Sequence, residues 1–287
     1  MAGIRYGWAA AAVCAGAGWN GLRVRRYRLR TGKGAAGFRL ALLSDLHGAW
    51  YGEGQRLLLR RLWQAAPDAV LLAGDMMPDR GPAAPLEALL AGLQGRLVFY
   101  VTGNHEYWWG RAEEARRLAA AFGACSLAGD SVLLKKGESR LCICGVDDPE
   151  GDFLPPGSPQ GSWLHQLRLC REKSPAGVFT VLLSHRPERA GVYEEMGFDA
   201  ALCGHAHGGQ VRIPGLCNGL YAPNQGFLPD YAGGLYRVGA SALLVSRGLA
   251  KNHLPRVFNP PELVLLDLLP DLEKIPVTID KCPHMVV

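Results

Sequence analysis

The chain alternates short apolar segments with segments of helical periodicity. Short stretches rich in apolar residues at 38–44, 69–73 and 97–102 predict strands that are buried on both faces. Between them, apolar side chains recur every three or four positions over residues 55–66 and 85–93, which predicts amphipathic helices. One strand and one helix together take about 30 residues, a repeat typical of βαβ crossovers. This part of the chain therefore predicts an α/β fold with parallel strands.

The pattern changes after a further amphipathic helix at residues 111–122. Two apolar stretches, 132–135 and 141–146, flank a Gly-Glu-Ser sequence and predict a β-hairpin. A loop rich in Gly, Pro and Ser comes next, and a helix follows it. The remaining predicted elements are loop 151–162, helix 163–173 and strands at residues 178–183, 200–203, 234–238, 242–246 and 262–268. No internal repeat interrupts this order, so a single α/β domain is the simplest interpretation.

The composition supports a folded protein and argues against a nucleic-acid partner. Of the 287 residues, 48% are apolar and 20% are charged, which excludes disordered and collagen-like chains. The formal net charge is +5, from 31 basic and 26 acidic residues. Eight of the basic residues and none of the acidic residues precede Asp45, so the rest of the chain is slightly negative. A basic excess confined to one end gives no reason to infer nucleic-acid binding.

Residues 6–22 contain no charged side chain and lie between Arg5 and Arg23. As a helix they would rise roughly 25 Å, slightly less than the hydrocarbon core of a bilayer. We expect this N-terminal segment to associate with a membrane. Two alternatives stay open, a cleaved signal peptide with a site near Ala15-Gly16-Ala17 and a helix packed on the domain. If the segment spans the membrane, the basic residues that follow it favour a cytoplasmic location for the rest of the chain. The side of the membrane nevertheless stays open.

The expected organisation has three parts. Residues 1–36 form a hydrophobic leader with a basic linker, residues 37–270 form the domain, and residues 271–287 form a C-terminal tail. The eight cysteines include no Cys-x-x-Cys pair, so neither a zinc ribbon nor a disulfide framework is indicated. Cys142 and Cys144 lie two positions apart in a predicted strand, and we expect them to be small core residues.

Side chains that bind metals or transfer protons follow five of the predicted strands. Ligands bind beyond the carboxyl ends of strands in α/β sheets, so residues distant in sequence can meet there. Asp-x-His and His-x-His place two such side chains on the same side of an extended backbone. The five motifs are Ser44-Asp45-Leu46-His47, Gly74-Asp75, Gly103-Asn104-His105-Glu106, Ser184-His185 and Gly204-His205-Ala206-His207.

The types of ligand in these motifs indicate divalent metal ions. Carboxylate oxygens combined with imidazole nitrogens suit Mn²⁺, Fe²⁺ or Zn²⁺, and the sequence does not decide among them. The five motifs together supply more side chains of this kind than one ion can bind. A carboxylate has two oxygens, so Asp75 can bridge two ions about 3.5–4 Å apart, a spacing that suits phosphoryl displacement.

The five motifs, in this order, resemble those of the calcineurin-like metallophosphoesterase superfamily. The resemblance covers nearly the whole predicted domain and implies two packed β-sheets flanked by helices, a four-layer αββα sandwich. Residues 204–214, 246–249 and 259–263 are similar to a bacterial membrane-associated branch that includes proteins related to UDP-2,3-diacylglucosamine hydrolases. Members of that branch commonly carry an N-terminal hydrophobic segment, which strengthens the expectation of an anchor here.

Transferred motif by motif, the resemblance implies two metal ions and one catalytic histidine. His105 would bind no metal and would stabilise the transition state or protonate the leaving oxygen. Glu106 would orient His105 or a ligand from behind. One ion would be bound by Asp45, His47, Asp75 and His207, and the other by Asp75, Asn104, His185 and His205.

The expected activity is hydrolysis of a phosphodiester or pyrophosphate bond by in-line attack of a metal-bound hydroxide. A narrower expectation is that the substrate is lipid-linked or a nucleotide sugar. The alternatives are a soluble phosphomonoesterase or nucleotide phosphodiesterase, and a scaffold of the same fold without activity. Among other polar residues, we expect Asp79 to face solvent and Asp147 and Asp148 to form a turn. The oligomeric state is left open.

Overall fold

The structure, a computed structural model, contains two mixed β-sheets of six strands each with helices on their outer faces. It describes residues 20–153, 162–251 and 256–271. Most of the predicted leader, much of the 151–162 loop and nearly all of the predicted tail therefore lie outside the described residues. The predicted α/β sandwich of two packed sheets is confirmed.

The first sheet brings together strands from both ends of the chain. Its strands are β1 (Arg23–Thr31), β2 (Arg39–Leu43), β3 (Ala69–Ala73), β4 (Val98–Val101), β5 (Cys125–Ser126) and β14 (Glu262–Pro270). They are arranged in the order β1-β14-β2-β3-β4-β5. The strands β2, β3, β4 and β5 are parallel to one another, and β14 runs antiparallel to β2.

The second sheet is built from the later strands. These are β6 (Asp130–Lys136), β7 (Ser139–Gly145), β8 (Phe179–Leu183), β9 (Ala200–Cys203), β12 (Gly234–Val238) and β13 (Ser241–Val245). Their order is β12-β13-β9-β8-β7-β6, with a parallel centre and an antiparallel strand at each edge. A separate small hairpin joins β10 (Tyr221–Ala222) to β11 (Gly226–Phe227).

Six α-helices connect the strands in the described part of the chain. They are α1 (Arg56–Ala65), α2 (Ala84–Gly92), α3 (Asn104–Trp108), α4 (Ala112–Ala121), α5 (Trp163–Lys173) and α6 (Ala190–Glu195). In α1 the buried residues Leu58, Leu62 and Ala65 recur every three or four positions, so one stripe of the helix packs on the sheet. Within the described residues, no helix is long and apolar enough to cross a membrane.

Three apolar layers hold the sandwich together. The central layer lies between the sheets, where Leu42 and Leu71 of the first sheet pack with Ile143 and Leu202 of the second. A second layer joins the first sheet to α1, α2 and α4, and a third joins the second sheet to α5 and α6. Strands buried on both faces explain the apolar stretches in the sequence.

The predicted elements agree closely with the observed ones, with one important exception. The predicted hairpin is β6 and β7, and Cys142 and Cys144 are buried in the core as expected. The exception is the basic segment that was predicted to be a linker. Arg23–Thr31 instead forms β1, which pairs along its whole length with β14. The first sheet therefore begins before the predicted domain boundary at residue 37. Tyr27 and Leu29 turn inward to the core between the sheets, which explains why this arginine-rich segment is a strand.

One edge of the sandwich collects the carboxyl ends of the parallel strands. Asp45 follows β2 at this edge, and the antiparallel pairing of β14 with β2 puts the start of β14 there too. Because β1 runs parallel to β14, with Arg23 opposite Glu262, the chain also enters the first sheet at this edge. We call it the carboxyl edge.

Candidate metal centre

The seven predicted ligands converge at the carboxyl edge. Asp45 and His47 follow β2, Asp75 follows β3, and Asn104 opens α3 directly after β4. The second sheet contributes His185 after β8, and His205 and His207 after β9. Three sets have ligand atoms within 4.8 Å of one another. Two of them are Asp45, His47, Asp75 and His207, and Asp75, His185 and His205, and the third, at the rim, is His47, Asp79 and His105. Asp75 belongs to the first two sets, so its carboxylate lies at the centre.

The first set contains buried polar atoms that have no hydrogen-bond partner among the described residues. They are Asp45 Oδ2, both ring nitrogens of His47, Asp75 Oδ2 and His207 Nδ1. His47 Nε2 lies 3.4 Å from Asp75 Oδ2, and His207 Nε2 lies 3.6 Å from Asp45 Oδ1. Leaving so many buried polar atoms unpaired is costly, and a divalent cation would satisfy them together. The donor set therefore fits a metal ion.

The second set is arranged around His185. Its Nδ1 lies 2.7 Å from the carbonyl oxygen of Ala73, so the proton belongs on Nδ1 and the Nε2 lone pair faces the centre. This Nε2 lies 3.1 Å from Asn104 Oδ1, 3.2 Å from His205 Nδ1 and 3.2 Å from Asp75 Oδ2. Four electron-rich atoms at this spacing repel one another unless a cation or a proton lies between them. Nitrogen and oxygen donors of this kind suit Mn²⁺, Fe²⁺ or Zn²⁺.

His205 is held in position by residues that the sequence reading did not assign to the site. Its Nε2 lies 2.8 Å from Asn224 Oδ1, which places the proton on Nε2 and leaves Nδ1 to face His185. Arg186 donates to the same Asn224 oxygen and makes two further bonds to the Asp148 carboxylate. The expectation that Asp148 is only a turn residue is therefore wrong, because its buried carboxylate fixes Arg186 beside the site.

Glu106 binds backbone rather than a ligand side chain. Its carboxylate is buried and accepts hydrogen bonds from the backbone N–H groups of Asp75, Met77 and Gly103. These bonds tie the loop after β3 to the start of α3. Burial raises the pKa of Glu106, and the nearby Asp75 charge raises it further. Glu106 thus supports the Asp75 loop from behind.

His105 lies at the rim of the centre, where its side chain is about a quarter exposed. Its backbone N–H donates to Asp75 Oδ1, and its ring lies 4.5 Å from the ring of His47, measured between centroids. Its Nδ1 lies 2.7 Å from Asp79 Oδ1. The Asp79 side chain is 44% exposed, as expected, and it also contacts the site through His105. The neighbouring His47 ring, 3.6 Å away, and the hydrogen-bonded His105 ring together lower the pKa of Asp79 to about 2.

Burial and nearby carboxylates act in opposite directions on the pKa values of the histidine ligands. Burial lowers the pKa of His207 to about 4 and moves the pKa of His205 well below its usual value. Both rings are therefore neutral near pH 7, and each offers a lone pair. Burial opposes the ionisation of Asp75, but the charge of His185 outweighs it and lowers the pKa of Asp75 well below the usual range.

Burial opposes the protonation of His185, but the Asp75 charge outweighs it and raises the pKa of His185 to about 10. Against the effect of burial, the nearby Asp79 and Asp75 carboxylates likewise raise the pKa of His47. A metal ion bound here would therefore displace protons from these two rings.

The backbone at the centre adopts conformations that non-glycine residues rarely adopt. Positive φ angles occur at five of the predicted ligands: Asp45 (52°), His47 (43°), Asp75 (54°), His205 (66°) and His207 (47°). Such angles cost free energy and cluster at functional sites. They let the chain reverse sharply after each strand and direct several side chains to one point. Gly103 allows the loops after β3 and β4 to approach each other closely, because a Cβ atom at residue 103 would lie 2.6 Å from the backbone nitrogen of Asp75.

Sequence comparisons agree with this geometry. The model of the family described as calcineurin-like phosphoesterase matches residues 38–209. The chain is 27% identical over 245 residues to a metallophosphoesterase, YkuE, of Bacillus subtilis (strain 168), with 82% of this chain and 80% of that protein covered. It is 25% identical over 262 residues to Phosphodiesterase YaeI of Escherichia coli (strain K12), with 88% and 89% covered.

A comparison with solved structures supports the fold. Phosphopantetheinyl hydrolase (PptH) from Mycobacterium tuberculosis aligns with a TM-score of 0.50 over 85% of this chain and 99% of that chain. The sequence identity is 16%, so this similarity shows the fold alone.

Proposed function

The chain belongs to the calcineurin-like phosphoesterase family, and from this premise we propose that it cleaves a phosphodiester or pyrophosphate bond with two metal ions. Hydrolysis of phosphoric esters is the activity of the family, and its members depend on two metals. One observation carries the proposal. Two sets of buried ligand atoms share Asp75, and most of the atoms in the first set lack a partner within the described chain.

The proposed ligands are divided between the two sets. Two bound divalent cations would supply positive charge to the phosphoryl oxygens and lower the pKa of a coordinated water. The residues themselves contribute a rigid frame, because Glu106, Arg186 and Asn224 fix the backbone or the ring orientation of the ligands. One ion would be held by Asp45, His47, Asp75 and His207, and the other by Asp75, Asn104, His185 and His205.

His105 is the proposed proton donor to the leaving oxygen. It lies at the solvent side of the ligands and belongs to neither of the two sets that share Asp75. The Asp79 carboxylate accepts the Nδ1 proton, so Nε2 is the ring atom available to the substrate. The same hydrogen bond fixes the orientation of the ring, so that Nε2 can give its proton to the leaving oxygen.

The proposed substrate is lipid-linked or a nucleotide sugar, as in the branch related to UDP-2,3-diacylglucosamine hydrolases. Exposed Trp108 at the end of α3 and exposed Trp109 next to it support this choice, because they offer apolar surface and the Trp108 ring lies against His105. Membrane association through the N-terminal segment belongs to the same proposal. A relative described as a phosphodiesterase supports cleavage of a diester.

The experiment compares substrates with Mn²⁺ supplied to the purified full chain. We expect turnover of bis(4-nitrophenyl) phosphate and of a lipid-bearing pyrophosphate to exceed turnover of 4-nitrophenyl phosphate. Faster hydrolysis of the monoester would favour the phosphomonoesterase alternative. No turnover of any of them would favour the scaffold alternative.

Asp75→Asn tests the shared ligand. We expect it to abolish both the binding of metal, measured by titration calorimetry, and hydrolysis, because an amide cannot supply two anionic oxygens. Asp130→Asn is the matched control, since Asp130 is an exposed acid that pairs with Lys173 away from the centre. Retained activity in Asp75→Asn would contradict the assignment of a shared carboxylate.

A further inference from the structure

An exposed apolar loop lies at the carboxyl edge, outside the metal ligands. Residues 213–229 contain no charged side chain, and we call this segment the apolar loop. Of the fourteen large apolar residues that are exposed in the described chain, six lie in it. They are Ile213, Leu216, Leu220, Tyr221, Phe227 and Leu228, with Leu216 82% and Phe227 77% exposed. A concentration of this kind marks an interaction surface.

The apolar loop is fixed to the same edge as the metal centre. The chain leaves the second sheet after β9, where His205 and His207 lie, and returns at Gly234, which pairs with Val245 at the carboxyl end of β13. Asn224, within the loop, contacts His205 directly. The loop therefore extends outward from the rim of the site rather than from a distant face.

The N-terminal segment enters the fold at this edge as well. Arg23 opens β1 opposite Glu262, and the backbone N–H of Glu262 bonds to Gly248 in the loop that follows β13. The charge-free residues 6–22 immediately precede Arg23. A segment that associates with a membrane would hold this edge, and not the opposite one, against the lipid surface.

Positive charge beside the entry point complements anionic lipid. Arg25, Arg26 and Arg61 line a shallow surface pocket next to the start of β1. Basic residues close to a bilayer are attracted to anionic head groups. Exposed Trp50 lies in the loop after β2, and exposed Trp108 and Trp109 lie at the end of α3, the short helix after β4. Tryptophan is enriched at the membrane interface.

We propose that the carboxyl edge docks on an anionic lipid bilayer, with the apolar loop inserted among the head groups and acyl chains. The metal centre then faces the lipid surface, so that an ester carried in the membrane reaches it without passing through water. The docking surface goes beyond the proposed function, because it does not depend on which ester is cleaved.

The test measures hydrogen exchange of the full chain with and without vesicles of equal parts phosphatidylcholine and phosphatidylglycerol. We expect vesicles to slow exchange of the amides of the apolar loop. We expect Leu216→Ser with Phe227→Ser to weaken sedimentation with vesicles by about tenfold or more, because two exposed apolar side chains are removed. Leu97→Ser with Leu133→Ser is the matched control, since both residues are exposed and lie outside the carboxyl edge.

Three results would overturn the docking surface. Protection confined to residues before Arg23 would mean that the leader alone contacts lipid. Equal sedimentation of the two double variants with vesicles would show that the apolar loop does not contribute to lipid binding. The amides of the apolar loop could also exchange slowly without vesicles, and more slowly as the protein concentration rises. That result would mean that a second copy of the chain binds this surface. Turnover of bis(4-nitrophenyl) phosphate, measured on the same samples, tests the proposed function separately.

Discussion

At the scale of single residues, the role of Asp79 depends on a contact that spacing alone does not reveal. The sequence places it four positions after Asp75, which is compatible with either solvent or the site. The positive φ of Asp75 reverses the backbone and brings Asp79 back to His105 and His47. Backbone reversals by non-glycine residues are rare, so a reading based on ordinary propensities misses them. The ligand types, by contrast, were recognisable because each follows a strand.

Asp79→Asn should lower kcat by about ten- to one-hundredfold, because the amide accepts a weaker hydrogen bond from His105 Nδ1 and holds the ring less firmly. The effect should nearly vanish when His105→Asn is already present, since the two residues would act as one unit. Steady-state kinetics of the single and double variants measure this coupling. Asp130→Asn, which removes a comparably exposed carboxylate, should leave kcat unchanged. Additive losses in the double variant would contradict a role through His105.

Gly103→Ala should destabilise the protein by about 1–3 kcal/mol and weaken metal binding, because the new Cβ would collide with the backbone of Asp75. Urea unfolding and metal titration measure the two effects. Gly191→Ala is the control, since Gly191 lies in α6 with no heavy atom within 4 Å of an added Cβ. Alanine there should be neutral or slightly stabilising. Equal stability of the two variants would show that the loop after β3 can move.

At the scale of elements, β1 is the part of the fold that the sequence reading missed. Five arginines between residues 23 and 30 suggested a linker, although Tyr27-Arg28-Leu29-Arg30 alternates apolar and basic side chains. Such alternation is typical of an edge strand with one buried face. The partner of β1 is β14, from the other end of the domain, and no local pattern identifies a partner so distant. The buried strands β2, β3 and β4 were predictable because their apolar stretches are continuous.

A chain that begins at residue 37 should therefore melt about 10 °C or more below a chain that begins at residue 20. The shorter chain leaves the edge of β14 unpaired and exposes apolar residues that Tyr27 and Leu29 cover. Differential scanning calorimetry measures the difference. Equal melting temperatures would mean that the domain begins at the boundary predicted from sequence.

At the scale of the whole molecule, the two sheets complete one site that neither contains alone. The first sheet supplies Asp45, His47, Asp75 and Asn104, and the second supplies His185, His205 and His207. The order of motifs allowed this convergence to be predicted, because parallel strands end at one edge. The path of the apolar loop could not be predicted, since its Gly-rich and Pro-rich sequence has no periodicity.

Metal should accordingly stabilise the molecule as a whole. Mn²⁺ at about one hundred times its dissociation constant should add about 2.7 kcal/mol for each ion bound only by the folded state. Thermal melting with and without Mn²⁺ measures this gain, and Asp75→Asn should abolish it. Asp130→Asn should keep it. A melting temperature that does not respond to Mn²⁺ would contradict binding across the two sheets.

The position of β14 also constrains the order in which the protein can be made. β14 lies between β1 and β2, so within the described part of the chain β1 gains its partner strand only when β14 has left the ribosome. During synthesis β1 therefore stays without β14 until more than 200 further residues have been added. Its alternating arginines repel other copies of the same strand and so suppress premature pairing. We therefore expect these basic residues to suppress the pairing of β1 with other chains until β14 has been made.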